Sequence, residues 1–149
     1  MIRRATPDDL DALCSMAKRF ISETDLPLTY SEEKTRATLW AAIHDSPIML
    51  VWQGEETLGG MVLGNYEHDF TEETAAYIMK CYIERELRGL GVARELLQAF
   101  DAEAKQRGAT VSFASSTAGM GPTNEMLYVR LFEREGYNVL GRVLVKEFR

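Results

Sequence analysis

The sequence lacks any apolar run near the ~20 residues that a membrane-spanning helix needs, so it predicts no transmembrane segment. Its only cysteines, Cys14 and Cys81, lie far apart and indicate neither a disulfide framework nor a zinc site. Residues 1–5 lead into a polar stretch instead of an apolar one, which is unlike a signal peptide. A reducing cytoplasm is therefore the expected compartment.

Basic residues are too few for a nucleic-acid-binding protein. The 149 residues include 17 Lys and Arg against 23 Asp and Glu, a formal net charge of -6, whereas a phosphate backbone requires a basic face. The acidic balance weakly favours a cationic partner such as an amine. The length fits one domain over residues 1–149. A two-fold homodimer is the base-rate expectation for assembly.

The sequence does contain a clear succession of strand-like and helix-like segments. Strands are predicted at residues 2–5, 48–53, 57–66, 75–83 and 110–115, and a closing strand or a hairpin about Gly141 at residues 137–148. Helices are predicted at about residues 10–21, 31–44, 91–107 and 124–135. The order β-α-α-β-β-β-α-β-α-β, with a crossover after a meander, predicts an α/β fold whose central mixed sheet carries helices on both faces.

One loop, which reads Arg88-Gly89-Leu90-Gly91-Val92-Ala93, is predicted to bind an anion. The first turn of a helix leaves backbone N–H groups unpaired, and the helix dipole adds partial positive charge there. Gly89 and Gly91 remove side chains that would keep an anion off the backbone, while Arg88 and Arg94 add charge. A dinucleotide fingerprint needs Gly or Ala where Arg94 stands, and a Walker loop needs a Gly-Lys-Ser/Thr that is missing.

This loop resembles the coenzyme A motif of the GNAT superfamily of N-acetyltransferases. Arg88, Gly91 and Ala93 occupy its Arg/Gln-x-x-Gly-x-Gly/Ala positions, and the order of elements is similar to that family along the whole chain. The resemblance implies acetyl-coenzyme A as the cofactor, with its pyrophosphate on the amides of this loop. It also implies that the backbone of Cys81, Tyr82 and Ile83 pairs with the pantetheine amides. The strands starting near residues 75 and 110 should then splay apart at their C-terminal ends, aided by a bulge.

The sequence departs from the family at the residue that protonates the leaving thiolate. The resemblance places a tyrosine where Phe132 stands, so the phenol is missing at this cofactor-side position. Tyr128 lies one helical turn earlier on the same face and is the candidate replacement. A buried aromatic with no part in catalysis, and a thiolate that leaves without an acid, are the open alternatives. Asn124 is either a helix cap or, as the resemblance implies, a cofactor contact.

The base and the acceptor contacts are predicted from the polar loops. Glu67 and His68 are candidate bases acting through water, since histidine titrates in the right range, although a solvated turn explains them equally. Ser115 and Ser116 end the strand opposite the cofactor strand, and either bind the acceptor or thioester carbonyl or serve as turn residues. Tyr30 and the loop at residues 26–28 are expected on the acceptor side, by analogy with related folds.

The sequence thus predicts an N-acetyltransferase that moves an acetyl group from acetyl-coenzyme A to a primary amine by direct attack in a ternary complex. The acceptor is a small molecule or a protein, and the acidic connector after residue 66 favours a cationic one. The alternative is a non-catalytic member that binds acyl-coenzyme A as a sensor or interaction module. A third interpretation is a small α/β domain whose glycine turn binds no cofactor.

Overall fold

Alternating strands and helices build a mixed sheet with helices on both faces. The structure, a computed structural model, describes residues 1–45, 47–67, 70–115 and 121–148. Within these ranges the strands are β1 (Ile2–Arg4), β2 (Ile48–Gln53), β3 (Leu58–Glu67), β4 (Thr74–Ile83) and β5 (Ala109–Ala114). The helices are α1 (Leu10–Ser22), α2 (Glu32–His44), α3 (Val92–Gln106) and α4 (Pro122–Arg134). In the described part of the chain, no helix has the length and apolar character to cross a membrane.

The sheet order is β1-β2-β3-β4-β5, antiparallel from β1 to β4 and parallel between β4 and β5. Successive side chains along a strand point to opposite faces of the sheet, and in this sheet both faces carry apolar side chains. On one face, α1 and α2 bury a cluster that includes Leu13, Phe20, Val51, Met61 and Tyr82. On the other face, α3 and α4 bury a cluster that includes Leu50, Val62, Leu97, Phe100 and Phe132. The predicted placement of helices on both faces is confirmed.

The strand β4 contains a bulge where it leaves its neighbour β5. Leu63 pairs with Lys80 and Gly64 with Ile78, so Met79 has no partner on β3. A bulge bends its strand and increases the local twist. On the other side, pairing between β4 and β5 ends at Ile78 opposite Ala114 among the described residues. Both the predicted bulge and the predicted splaying of the two strands are confirmed.

The predicted closing strand is not found. Residues 137–148 form neither helix nor strand, so the observed order ends after α4. Several large apolar side chains in this segment are exposed, including Leu140 and Leu144. Alternating apolar residues form a strand only where a neighbouring edge completes the backbone hydrogen bonds, and the described sheet ends at β5. The sequence pattern alone does not indicate whether residues 137–148 pair with the edge of a neighbouring strand.

Gly64 lies at the bulge, where α3 packs directly on the backbone of β3. A Cβ atom at Gly64 would lie 2.1 Å from Phe100 Cε2 and 2.8 Å from the Tyr77 carbonyl oxygen. We therefore expect Gly64→Ala to lower the free energy of unfolding by about 1–3 kcal/mol, the usual cost of overpacking a core. Urea denaturation measures this change. Gly141→Ala is the control, since no described atom lies within 4 Å of its Cβ position, and equal effects at both glycines would contradict this packing.

Candidate active site

A cavity of about 1240 Å³ opens where β4 and β5 separate. Its walls come from both sides of the sheet, with Phe20 and Ile21 of α1 on one side and Tyr128 and Leu131 of α4 on the other. The gap between the strands therefore connects the two faces. A second cavity of about 680 Å³ lies along β5 and includes none of the residues of the predicted anion loop. The larger cavity is the candidate site.

The predicted anion loop forms one wall of the larger cavity. Gly89 and Gly91 have φ angles of 82° and 90°, in the left-handed region that favours glycine, and Gly91 is the N-cap residue directly before α3. The N–H groups in the first turn of α3 have no carbonyl partner within the helix. Leu90 is exposed, whereas Val92 is buried in the core beneath α3. The loop thus presents backbone donors beside Arg88, Ala93 and Arg94, which also line the cavity.

Arg88 is held by the end of α1. Its Nη2 donates to Glu23 Oε2 at 2.7 Å, and its Nε donates to the Ile83 carbonyl at 2.9 Å. The guanidinium also lies 5.3 Å from the ring centroid of Tyr82. Glu23 accepts further hydrogen bonds from the Tyr82 hydroxyl at 2.9 Å and Arg85 Nε at 3.1 Å. Arg88 therefore joins α1 to the cofactor strand, and its charge is largely neutralised.

Arg94, the second cation of the loop, is paired in the same way. Its Nε donates to Glu135 Oε1 at 2.7 Å, and Gln98 Nε2 donates to the other carboxylate oxygen at 3.0 Å. The Glu135 side chain is only 10% exposed, so this contact is fixed between α3 and the end of α4. Both loop cations are thus paired with carboxylates, whereas the amides in the first turn of α3 have no partner within the helix.

The strand β4 lines the cavity through Cys81, Tyr82 and Ile83. These residues lie beyond the last pair of β4 with β5, so among the described residues no β5 backbone pairs with this part of the β4 edge. Burial raises the pKa of the Cys81 thiol to about 12, so it is protonated and unreactive at neutral pH. The strand offers a ligand its backbone, and Cys81 is not a nucleophile.

Tyr128 lies in the wall of the cavity on the α4 side. Its ring contacts Phe132 with centroids 4.4 Å apart. Burial, with smaller effects from Cys81 and Tyr137, raises the pKa of the Tyr128 phenol above its ordinary value of 10.0. The hydroxyl therefore keeps its proton at neutral pH and is chemically a proton donor. Phe132 is buried and lines only the smaller cavity among the described residues, so it packs against Tyr128 from behind.

Several of the other predicted site residues also line the larger cavity. Ser115 and Asn124 line the larger cavity, and Asn124 sits inside the first turn of α4, because Gly121 occupies the cap position. The helix begins earlier than predicted since Pro122 suits its first turn. Leu26 and Leu28 also line the cavity, in agreement with the expected acceptor-side loop.

Besides Phe132, four predicted site residues are absent from the lining of the larger cavity: Leu90 and Val92 of the glycine loop, Tyr30 and Glu67. Tyr30 lies elsewhere, with its hydroxyl 2.6 Å from Glu32 Oε2 and 3.2 Å from the Cys14 carbonyl. Glu67 ends β3 opposite Ala75, on the far side of the bulge from the gap. His68 and Ser116 lie outside the described residues. Among those described, no group of three or more His, Cys, Asp and Glu is arranged to hold a metal ion.

Sequence reasoning missed the two carboxylates that organise the loop cations. Glu23 and Glu135 are 65 and 41 residues from Arg88 and Arg94 along the chain. A carboxylate at a helix end looks like any solvated charge, because its partner is set by the packing of distant elements. No local pattern in the sequence could have identified these pairs.

Comparison with known proteins agrees with this geometry. A family model described as the acetyltransferase (GNAT) family matches residues 14–135. No curated protein matches the sequence. The structure is similar to an aminoglycoside N-acetyltransferase AAC(6')-Iy in complex with coenzyme A, with a TM-score of 0.80 and 15% identity over 100% of this chain and 94% of that one.

Two further solved structures share the fold. A ribosomal-protein-alanine N-acetyltransferase from Brucella melitensis has a TM-score of 0.78 and 22% identity, covering 95% of this chain and 86% of that one. A transcriptional regulator from Bacillus halodurans C-125 has a TM-score of 0.77 and 19% identity, covering 99% of both chains. At these identities the likeness is one of fold, and the substrates of these proteins do not transfer to this chain.

The Glu23 cluster should contribute to stability in a pH-dependent way. Burial opposes the charged carboxylate, but hydrogen bonds from Arg88 and Tyr82 outweigh it and lower the pKa of Glu23 in the folded state. Its stabilisation is thus present above the unfolded pKa, ordinarily 4.5, and is lost as the pH falls through the lower folded value. We expect Glu23→Gln to lower the free energy of unfolding at pH 7 by about 1–3 kcal/mol.

Urea denaturation at pH 7 and at pH 3 measures this effect. The difference between the parent protein and Glu23→Gln should shrink at pH 3. Glu55→Gln, on the exposed turn between β2 and β3, is the matched control and should change little at either pH. A Glu23→Gln effect that is the same at both pH values would contradict the charged cluster.

Proposed function

The chain belongs to the acetyltransferase (GNAT) family, and on that basis we propose that it transfers an acetyl group from acetyl-coenzyme A to a primary amine. The observation that carries this proposal is the gap between β4 and β5, which joins cavity walls on both faces of the sheet. Acetyl donor and amine can enter from opposite faces and meet in a ternary complex. No covalent acyl-enzyme is then needed.

The acetyl donor would bind on the side of the gap formed by α3 and α4. The amides of residues 88–93 are suited to the pyrophosphate, because glycines at positive φ leave the backbone accessible at the start of a helix. The edge of β4 at residues 81–83, which pairs with no described residue of β5, is suited to the pantetheine amides. Ala93 and Asn124, which also line this part of the cavity, complete the proposed donor site.

The reaction joins the amine nitrogen to the thioester carbon. The nitrogen lone pair forms the new C–N bond, the C–S bond breaks, and the sulfur receives a proton from the Tyr128 hydroxyl. The ammonium form of the amine loses one proton to water before attack, and after the C–N bond forms the nitrogen releases a second proton, which restores the Tyr128 phenol. Of the bases that the sequence predicts, His68 lies outside the described residues, and Glu67 is not brought to the cavity. Tyr128 is favoured as the acid because it lies in the cavity wall.

A second candidate function is an acyl-coenzyme A sensor or interaction module. The observation that favours it is Phe132, a residue without a dissociable proton where the family resemblance implies a phenol. Release of free thiol from acetyl-coenzyme A, measured with a panel of primary amines, separates the two functions. Amine-dependent release supports the transferase, whereas coenzyme A binding without turnover on any amine supports the module.

Tyr128→Phe tests the proposed proton donor. We expect this change to lower kcat by about 10- to 100-fold. The effect is at the low end for the loss of a general acid, because a thiolate is a tolerable leaving group. Coenzyme A affinity should stay the same. Because the pKa of Tyr128 is raised, deprotonation of its phenol should not lower kcat of the parent protein below pH 10.0.

The matched control is Tyr66→Phe, which removes a phenol from β3 outside the cavity. The Tyr66 hydroxyl is buried with no hydrogen-bond partner among the described residues, so its loss should be harmless. Steady-state kinetics and calorimetric titration with coenzyme A measure both variants. An unchanged kcat in Tyr128→Phe would remove Tyr128 from the reaction.

A further inference from the structure

The lining of the cavity includes an apolar, exposed patch, here called its mouth, to which both sides of the sheet contribute. Three large side chains there are more than half exposed: Leu28 at 63%, Met79 at 53% and Leu127 at 58%. They come from three separate segments, namely the connection between α1 and α2, the bulge of β4, and α4. Single exposed apolar residues are ordinary, but apolar residues from separate segments that line one cavity indicate a binding surface.

The charged residues around the cavity are balanced. Of the seven that line it, Arg88 pairs with Glu23, and Arg94 pairs with Glu135. The others in the described lining are two carboxylates and two cations: Asp25, Glu125, Lys80 and Arg134. A polyamine or an aminoglycoside carries several positive charges and requires several carboxylates within reach. This lining does not supply them.

Lys80 lies on the side of the sheet from which the acceptor would enter. It shares the α1 face with Tyr82, because side chains two residues apart along a strand point the same way. The positive charge of its ammonium group repels a polycation at this entrance. Asp25, from the segment that follows α1, is the carboxylate at the same mouth and matches one ammonium group.

From these contacts we infer that the acceptor is a primary monoamine with an apolar body. The inference rests on the proposed acetyl transfer and names the class of amine that this site takes. The apolar body of the amine contacts Leu28, Met79 and Leu127, and its single ammonium group pairs with Asp25 before it loses its proton. The inference narrows the cationic acceptor expected from net charge to one ammonium group on an apolar body.

The test compares kcat/KM for matched amines at saturating acetyl-coenzyme A. The probes are ethylamine, butylamine, hexylamine and 2-phenylethylamine as monoamines, with spermidine and kanamycin as polycations. We expect kcat/KM to rise at least tenfold from ethylamine to hexylamine, since each methylene that enters an apolar surface adds affinity. Both polycations should be at least tenfold poorer substrates than 2-phenylethylamine.

Two leucine variants give this test a matched control. Leu28→Asn should lower kcat/KM for hexylamine about tenfold while leaving ethylamine and the affinity for coenzyme A unchanged. Leu140→Asn makes the same substitution at an exposed leucine outside the larger cavity and should change neither amine. Leu28 is mostly exposed, so both variants are expected to fold.

The outcomes separate the two proposals. A preference for spermidine or kanamycin, or a flat alkylamine series, overturns the apolar monoamine while acetyl transfer stands. Thiol release with none of the amines, although coenzyme A binds, overturns the transferase and the acceptor class together. A tenfold loss for both hexylamine and ethylamine in Leu28→Asn would show a general effect of Leu28 on the site and contradict its specific contact with the apolar body.

Discussion

The separation of β4 from β5 is the constraint on which the rest of the site depends. Met79 is the extra residue that bends β4, and pairing with β5 stops at Ile78, one residue earlier. A regular parallel pair would have buried these backbone groups in the sheet and closed the cavity. Among the described residues, this edge of β4 has no strand partner at the carboxyl ends of two parallel strands, where open α/β sheets commonly bind ligands.

Charged contacts lie at the rim of the gap. Arg19 of α1 pairs with the buried Glu84 just after β4, and one helical turn later Glu23 accepts hydrogen bonds from Arg88 and Tyr82. These contacts join α1 to the end of β4 and to the start of the glycine loop, so the cations serve as structural links between these elements.

The local pattern of the sequence was sufficient for most of the fold. Apolar runs bounded by turn residues predicted β2 to β5, and the glycine run before Val92 predicted the start of α3. The motif also implied the splayed strands and the bulge, since the fold resembles a known family. Helical spacing placed Tyr128 on the same face as Phe132, and the structure adds that the phenol lines the cavity.

Features that depend on distant partners could not be predicted. Tyr30 was expected at the acceptor side, but its hydroxyl meets Glu32 and the Cys14 carbonyl instead. The closing strand failed because alternation along residues 137–148 says nothing about which edge would pair with them. Likewise, net charge favoured a cationic acceptor but could not specify its class, because the side chains around the cavity, and not the whole surface, decide what binds.

The central claim is that the backbone of the glycine loop, at the end of the open gap, binds the pyrophosphate of coenzyme A. Gly91 and Gly108 have nearly the same φ, 90° and 89°, and a Cβ atom would meet no described atom within 4 Å at either, but only Gly91 lines the cavity. Calorimetric titration of Gly91→Ala and Gly108→Ala with coenzyme A is therefore the most direct measurement. We predict at least a tenfold loss of affinity in Gly91→Ala and little change in Gly108→Ala. Equal affinities in the two variants would contradict the account.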